Sequence, residues 1–191
     1  MSSDLAIGAY QVIVSTPNGD KIAIVAPAKE VDMPTTWNFF WKDLWNSTDF
    51  EYQGIVKISC DGLLWGLVRY SVFPLNDHQN ILEVEHLESN PISRGTLDNR
   101  LVAPIGQWLM WYVSKVALQY CPCNNDDPLL ILSSLETATD YYRDVIKLEY
   151  IGVAPSAPGE DLYAFRFTRD KATEFCKSHE RKWGRPSRID P

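Results

Sequence analysis

The sequence predicts a mixed α/β fold of the α+β kind, a mixed β-sheet flanked by helices and extended by an N-terminal β-hairpin. Three observations carry this. Two pairs of β-prone runs are joined by the strong hairpin signals Asn18-Gly19 and Asp61-Gly62. An alternating strand pattern at 81–87 is followed by a long apolar helical run at 104–119. A short apolar strand, a helix, two more strands and an amphipathic helix then close the chain. The order β-β-α-β-β-β-α-β-α-β-β-α demands both parallel and antiparallel pairing.

Each element has a local reason. The first hairpin pairs 10–15 with 21–26 around the turn 16–20. At 37–45, Trp37, Phe40, Trp41 and Leu44 stand at i, i+3, i+4 and i+7, which predicts one apolar helical face. The second hairpin pairs 54–60 with 63–73, and the strand at 81–87 leads into a polar loop at 88–100. Pro104 suits the first turn of the long helix. The run 129–133 reads as a short buried strand, 136–146 as a helix, and 148–153 and 161–167 as strands about the turn 154–160. A helix spans 169–182, and the tail 184–191 is expected to fray. The expectation is one domain over 1–191, with its core at about 53–167.

Composition narrows the function. With 45% hydrophobic and 23% charged residues, the chain can bury a core without metal or disulfide staples. A net charge of -7 lacks the basic face that nucleic acid needs, and it suits a cationic acceptor. No apolar run is long enough to span a membrane. The first residues lack the pattern of a signal peptide. Cys60, Cys121, Cys123 and Cys176 match no zinc spacing, and a disulfide across Cys121-Pro122-Cys123 would be strained. Free thiols in a reducing compartment, and so a cytoplasmic location, are expected, with no metal.

Two places carry candidate chemistry. Gly106, where a loop enters the long helix, would expose unpaired N–H groups and a partial positive charge to a pyrophosphate. Glu83, Glu85, His86 and Glu88 crowd one strand and its end, where a carboxylate can take the proton of an amine. Strand alternation would set Glu83 and Glu85 on one face and His86 and Glu88 on the other. Glu88 stands first as the base, Glu85 second and His86 third. The aromatic face at 37–45 reads first as core.

Several stretches resemble the GNAT acyltransferase family, over about 53–167. Leu101-Val102-Ala103-Pro104-Ile105-Gly106, then Leu109-Met110, is similar to its glycine-rich cofactor loop, with only the last glycine kept. Arg100 stands one residue from the expected basic position. Ala138-Thr139-Asp140-Tyr141-Tyr142-Arg143-Asp144 is similar to a second family stretch, and Glu88-Ser89-Asn90-Pro91-Ile92-Ser93-Arg94-Gly95 to the loop of an uncharacterised GNAT-like subgroup. The resemblance implies acetyl-CoA or another acyl-CoA as co-substrate, held by Leu87, Ser89, Arg100, Ala103, Ile105, Gly106 and Gln107. It implies Glu88 and Glu85 as base candidates and Tyr142 as the acid that protonates the leaving thiolate. The acceptor would be an amine on a small molecule or peptide, and a homodimer is compatible. The altered loop keeps two alternatives open. One is a CoA-binding or regulatory module without turnover, and the other a tailoring acyltransferase that moves a longer acyl group onto a peptide.

Overall fold

The structure is a computed structural model that describes residues 5–76, 79–93, 100–154 and 161–189. Its centre is one nine-stranded sheet: β1 (Ala9–Thr16), β2 (Gly19–Pro27), β3 (Gln53–Cys60), β4 (Leu63–Asn76), β5 (Gln79–Ser89), β6 (Pro128–Leu135), β7 (Glu149–Ala154), β8 (Leu162–Thr168) and β9 (Ser187–Ile189). The spatial order is β7-β8-β6-β5-β4-β3-β2-β1-β9. Every described pairing is antiparallel except β5 with β6. Asp61 (φ 53) and Gly62 (φ 75) both hold the left-handed conformation that a two-residue hairpin turn requires.

Helix α2 (Ile105–Tyr120) is buried on most of its circumference, because the sheet covers one side and α3 (Arg169–Trp183) another. Its own Trp108, Leu109, Met110, Tyr112 and Val113 are fully buried, in one core with Val68, Tyr70, Leu82, Phe165 and Phe167 from the sheet. On the opposite face, α1 (Trp41–Asn46) closes a smaller core of Ala28, Met33, Trp41, Ile55 and Leu67. Cys60, Cys121, Cys123 and Cys176 are free. Among the described residues, no helix is long and apolar enough to cross a membrane.

Three expectations are corrected. The helix at 37–45 shrinks to Trp41–Asn46, because the backbone N–H groups of Asn38 and Phe39 bond a distant carboxylate instead of continuing the helix. Trp41 is fully buried while Phe40 is 79% exposed, so the two do not share a buried face. The helix at 136–146 keeps its bounds but changes type along its length, from a 3-10 turn, Glu136–Ala138, through Thr139 and Asp140 to a π-helix, Tyr141–Ile146, ended by Lys147 at φ 70. The tail expected to fray supplies β9, which pairs with β1 through Ala9↔Ile189 and Gln11↔Ser187.

Candidate active site

The site begins with a split in the sheet. β5 and β6 pair at only three positions, Leu82↔Leu130, Glu83↔Ile131 and Val84↔Leu132. β5 continues beside β4 to Gly66↔Ser89, and β6 continues beside β8 to Leu135↔Leu162. Parallel strands that keep their outer partners and drop their mutual register leave a wedge between them. The register of β5 on β4 jumps between Arg69↔His86 and Tyr70↔Val84, which makes Glu85 a bulge residue at the mouth of the wedge.

The bulge reverses an expectation. Glu83 lies opposite Ser71, His86 opposite Arg69 and Glu88 opposite Leu67, the last of which belongs to the core under α1. Glu85 reaches Arg69 and Gln53 on that same side. All four polar residues therefore face α1, whereas uninterrupted alternation would have divided them. Leu87 and Ser89 turn the other way, toward α2, opposite Val68 and Gly66. A Cβ on Gly66 would meet Ile105 at 2.5 Å and Leu109 at 2.9 Å, so α2 begins directly against this end of the sheet.

That helix start is a candidate anion site. No side chain caps it, and the first helical bond runs from Trp108 N to Pro104 O at 3.3 Å. The N–H groups of Ile105, Gly106 and Gln107 therefore have no acceptor within the helix. The preceding loop offers little more. Val102 N donates to Ser93 Oγ (3.0 Å), Ala103 N donates to Ser15 O (3.0 Å), and Pro104 has no N–H. Ala103, expected to bind cofactor through this loop, thus has its backbone donor already engaged by β1. Arg100 lies within electrostatic reach of Tyr141, whose hydroxyl occupies the space where a Cβ on Gly106 would stand. Gly106 is therefore required by Tyr141 in this structure. Tyr141 carries no signal in periodicity or composition that singles it out, beyond its place beside Tyr142 in the family-like stretch 138–144. Residues 94–99, including Arg94 and Gly95 of the subgroup-like stretch, lie outside the described residues.

The remaining candidates occupy distinct environments. Both Glu88 oxygens are engaged: Asn38 N (2.9 Å), Phe39 N (3.2 Å) and Trp41 Nε1 (2.8 Å) all donate to its carboxylate, which is 4% exposed. Glu88 thereby clamps the aromatic segment onto β5. Glu85 accepts from Gln53 Nε2 (2.7 Å) and forms an ion pair with Arg69 at 3.2 Å, in which the Nε–H is not aligned for a hydrogen bond. The His86 ring meets Phe39 edge-on at 5.0 Å, and its buried Nδ1 has no hydrogen-bond partner. Burial, then the Arg69 charge, lower its pKa, which keeps the imidazole neutral at pH 7. Tyr142 packs on Phe165 (6.0 Å between ring centres), and burial pushes its phenol up to about 12. On the β6 side, Ser134 is 6% exposed and its Oγ has no partner. A separate groove of about 600 Å³ beside α1, lined by Val31, Trp45 and Phe50 among others, stands apart from the wedge. Among the described residues, no group of three His, Cys, Asp or Glu side chains could hold a metal.

No family model matches the sequence, and no curated protein matches it. Solved structures do match. An acetyltransferase of the GNAT family from Bacillus cereus superposes with a TM-score of 0.54 at 12% identity, over 78% of this chain and 99% of that one. Arabidopsis thaliana Naa50, solved with the bisubstrate analogue CoA-Ac-MVNAL, gives 0.54 at 10% identity over 76% and 98%. An uncharacterised protein from Bacillus halodurans gives 0.56 at 9% identity over 93% and 98%. The chain has the fold of the GNAT acyltransferases. At these identities the likeness establishes the fold.

Proposed function

We propose that this chain transfers an acyl group from an acyl-CoA thioester to an amine. The observation that carries the reading is the β5–β6 wedge opening beside the uncapped start of α2. An extended ligand with amide groups can pair with a strand edge in such a wedge, as added strands do. The free N–H groups of Ile105, Gly106 and Gln107 and the Arg100 guanidinium suit its phosphates. Leu87 and Ser89 line the α2 side, and the unpaired Ser134 hydroxyl, costly to bury alone, suits a polar ligand atom.

The residues present divide the chemistry as follows. The neutral amine attacks the thioester carbon, so that a C–N bond forms as the C–S bond breaks. Glu85, at the bulge, takes the proton released by the amine, directly or through one water. Glu88 orders the acceptor side by clamping Phe39 and Trp41. The Tyr142 phenol, which stays protonated at neutral pH, returns a proton to the departing thiolate. Holding both reactants in one wedge supplies much of the acceleration.

One observation favours a second reading, a CoA-binding module without turnover. The loop before α2 has lost its N–H donors, and Tyr141 already fills the space beside Gly106. The two readings separate in one experiment. Melting is followed with saturating CoA, acetyl-CoA and a long-chain acyl-CoA, and free thiol is then measured with a panel of amines. A ligand near a hundredfold excess over its Kd stabilises by about 2.7 kcal/mol, a rise of roughly 5–10 °C for a chain of this size. A shift with thiol release supports transfer. A shift without release supports the module, and no shift with any of the three removes both.

A further inference from the structure

The sheet face under α1, beside the mouth of the wedge, carries ion pairs among the described residues. Lys57 pairs with Asp32 at 2.6 Å, Arg69 with Glu85 at 3.2 Å, and Arg166 with Glu149 at 2.7 and 3.2 Å. Glu88 is satisfied by three N–H donors. Glu83 lies among them, in register with Ser71 of β4 and Ile131 of β6, and neither a hydrogen bond nor an ion pair reaches its carboxylate among the described residues. Its partly buried position disfavours the charge. Burial, and after it the Glu85 charge, raise its pKa. A half-buried carboxylate next to another negative charge gains from a cation that reaches it.

We propose that Glu83 receives a second ammonium group of the acceptor, so that the acceptor is an aliphatic diamine. This rests on the acyltransfer reading and adds the substrate class. Strand geometry fits the assignment. Glu83 stands three positions before His86, and the wedge opens at Glu85, which places the carboxylate about 7–10 Å along β5 from the reacting end. A diamine in extended form spans that interval. Its reacting nitrogen loses a proton near Glu85, while its far nitrogen stays charged on Glu83. Phe39, edge-on to His86, flanks the methylene chain.

The test compares cadaverine with pentylamine, which differ by the second ammonium group, as acceptors for wild type, Glu83→Gln and Glu83→Asp. Wild type is expected to show a KM about fivefold lower for cadaverine, the factor that one partly exposed ion pair supplies. In Glu83→Gln the two KM values should converge, with Glu83→Asp between, and the Gln variant should melt at or above the wild-type temperature because an unpaired charge is gone. Equal KM values in wild type, a preference that survives in Glu83→Gln, or a kcat loss shared by both amines would each overturn the diamine assignment alone. Transfer to neither amine, nor to any other, by wild type would overturn the acyltransfer reading and this inference with it.

Discussion

At the scale of single residues, Gly106 and Tyr141 form a pair that can be tested directly. Gly106 lies in the first turn of α2 and Tyr141 in the π-helix that follows β6, and the phenol fills the position of the absent side chain, with Cζ 3.2 Å from where a Cβ would stand. Gly106→Ala should therefore cost about 1–3 kcal/mol, the usual cost of overpacking a closed contact. Tyr141→Phe removes the overlapping oxygen and leaves the ring. In that background the same alanine should cost less, with a coupling of at least about 1 kcal/mol by denaturant titration. Equal costs in both backgrounds would show that the two residues do not meet. Glu88 teaches a related lesson. Its place at the end of β5 suggested a base, but the donors that fill its carboxylate come from a segment some 50 positions earlier in the chain.

At the scale of elements, the bulge in β5 and the packing of α3 decide most. The bulge turns Glu83, Glu85, His86 and Glu88 to one face and lies where the β5–β6 register ends, so one extra residue sets both the shared polar face and the wedge. α3 brings a different property. His179 is 4% exposed, with its ring centre 4.1 Å from that of Trp108 and stacked on Phe175, and its Nε2 has no partner. Burial, then Lys182, lower its pKa to about 4. The unfolded chain, with an ordinary histidine pKa of about 6.5, binds this proton more readily than the folded one. Stability from this group is therefore complete above about pH 6.5 and declines as pH falls toward about 4, by about 3 kcal/mol at most. Urea titrations across that window should show the decline, and His179→Phe, which keeps the stacked ring, should flatten it. An equally steep decline in the variant would assign the acid sensitivity to other groups.

At the scale of the whole molecule, the N-terminal hairpin and the C-terminal segment widen the sheet to nine strands, and β9 covers the outer edge of β1. Arg188 lies over Gly8, 3.4 Å from where a Cβ would stand, and secures the same corner. Ending the chain at Gly184 should lower the melting temperature by several degrees, the scale of about 1–2 kcal/mol. It should also promote self-association, because an uncovered edge strand is a template for pairing. A truncated protein that melts like the full chain and stays monodisperse would make β9 dispensable.

The sequence by itself determined the features whose causes are local. Asn18-Gly19 and Asp61-Gly62 dictated the two hairpins, because Gly19, Asp61 and Gly62 take a positive φ that few residues other than glycine, asparagine and aspartate hold cheaply. The apolar run from Ile105 to Tyr120 dictated a buried helix, and Gly106 marked its start. These signals, in order, also carried the resemblance to the GNAT fold. Tertiary structure alone decided the face that Glu85 and His86 share, since a bulge is a relation between β5 and β4 that neither strand contains. It decided likewise that Glu88 clamps Asn38, Phe39 and Trp41, and that Tyr141 fills the space at Gly106. Each of those facts depends on which distant groups arrive beside a side chain, and periodicity reports only the side chain's own direction.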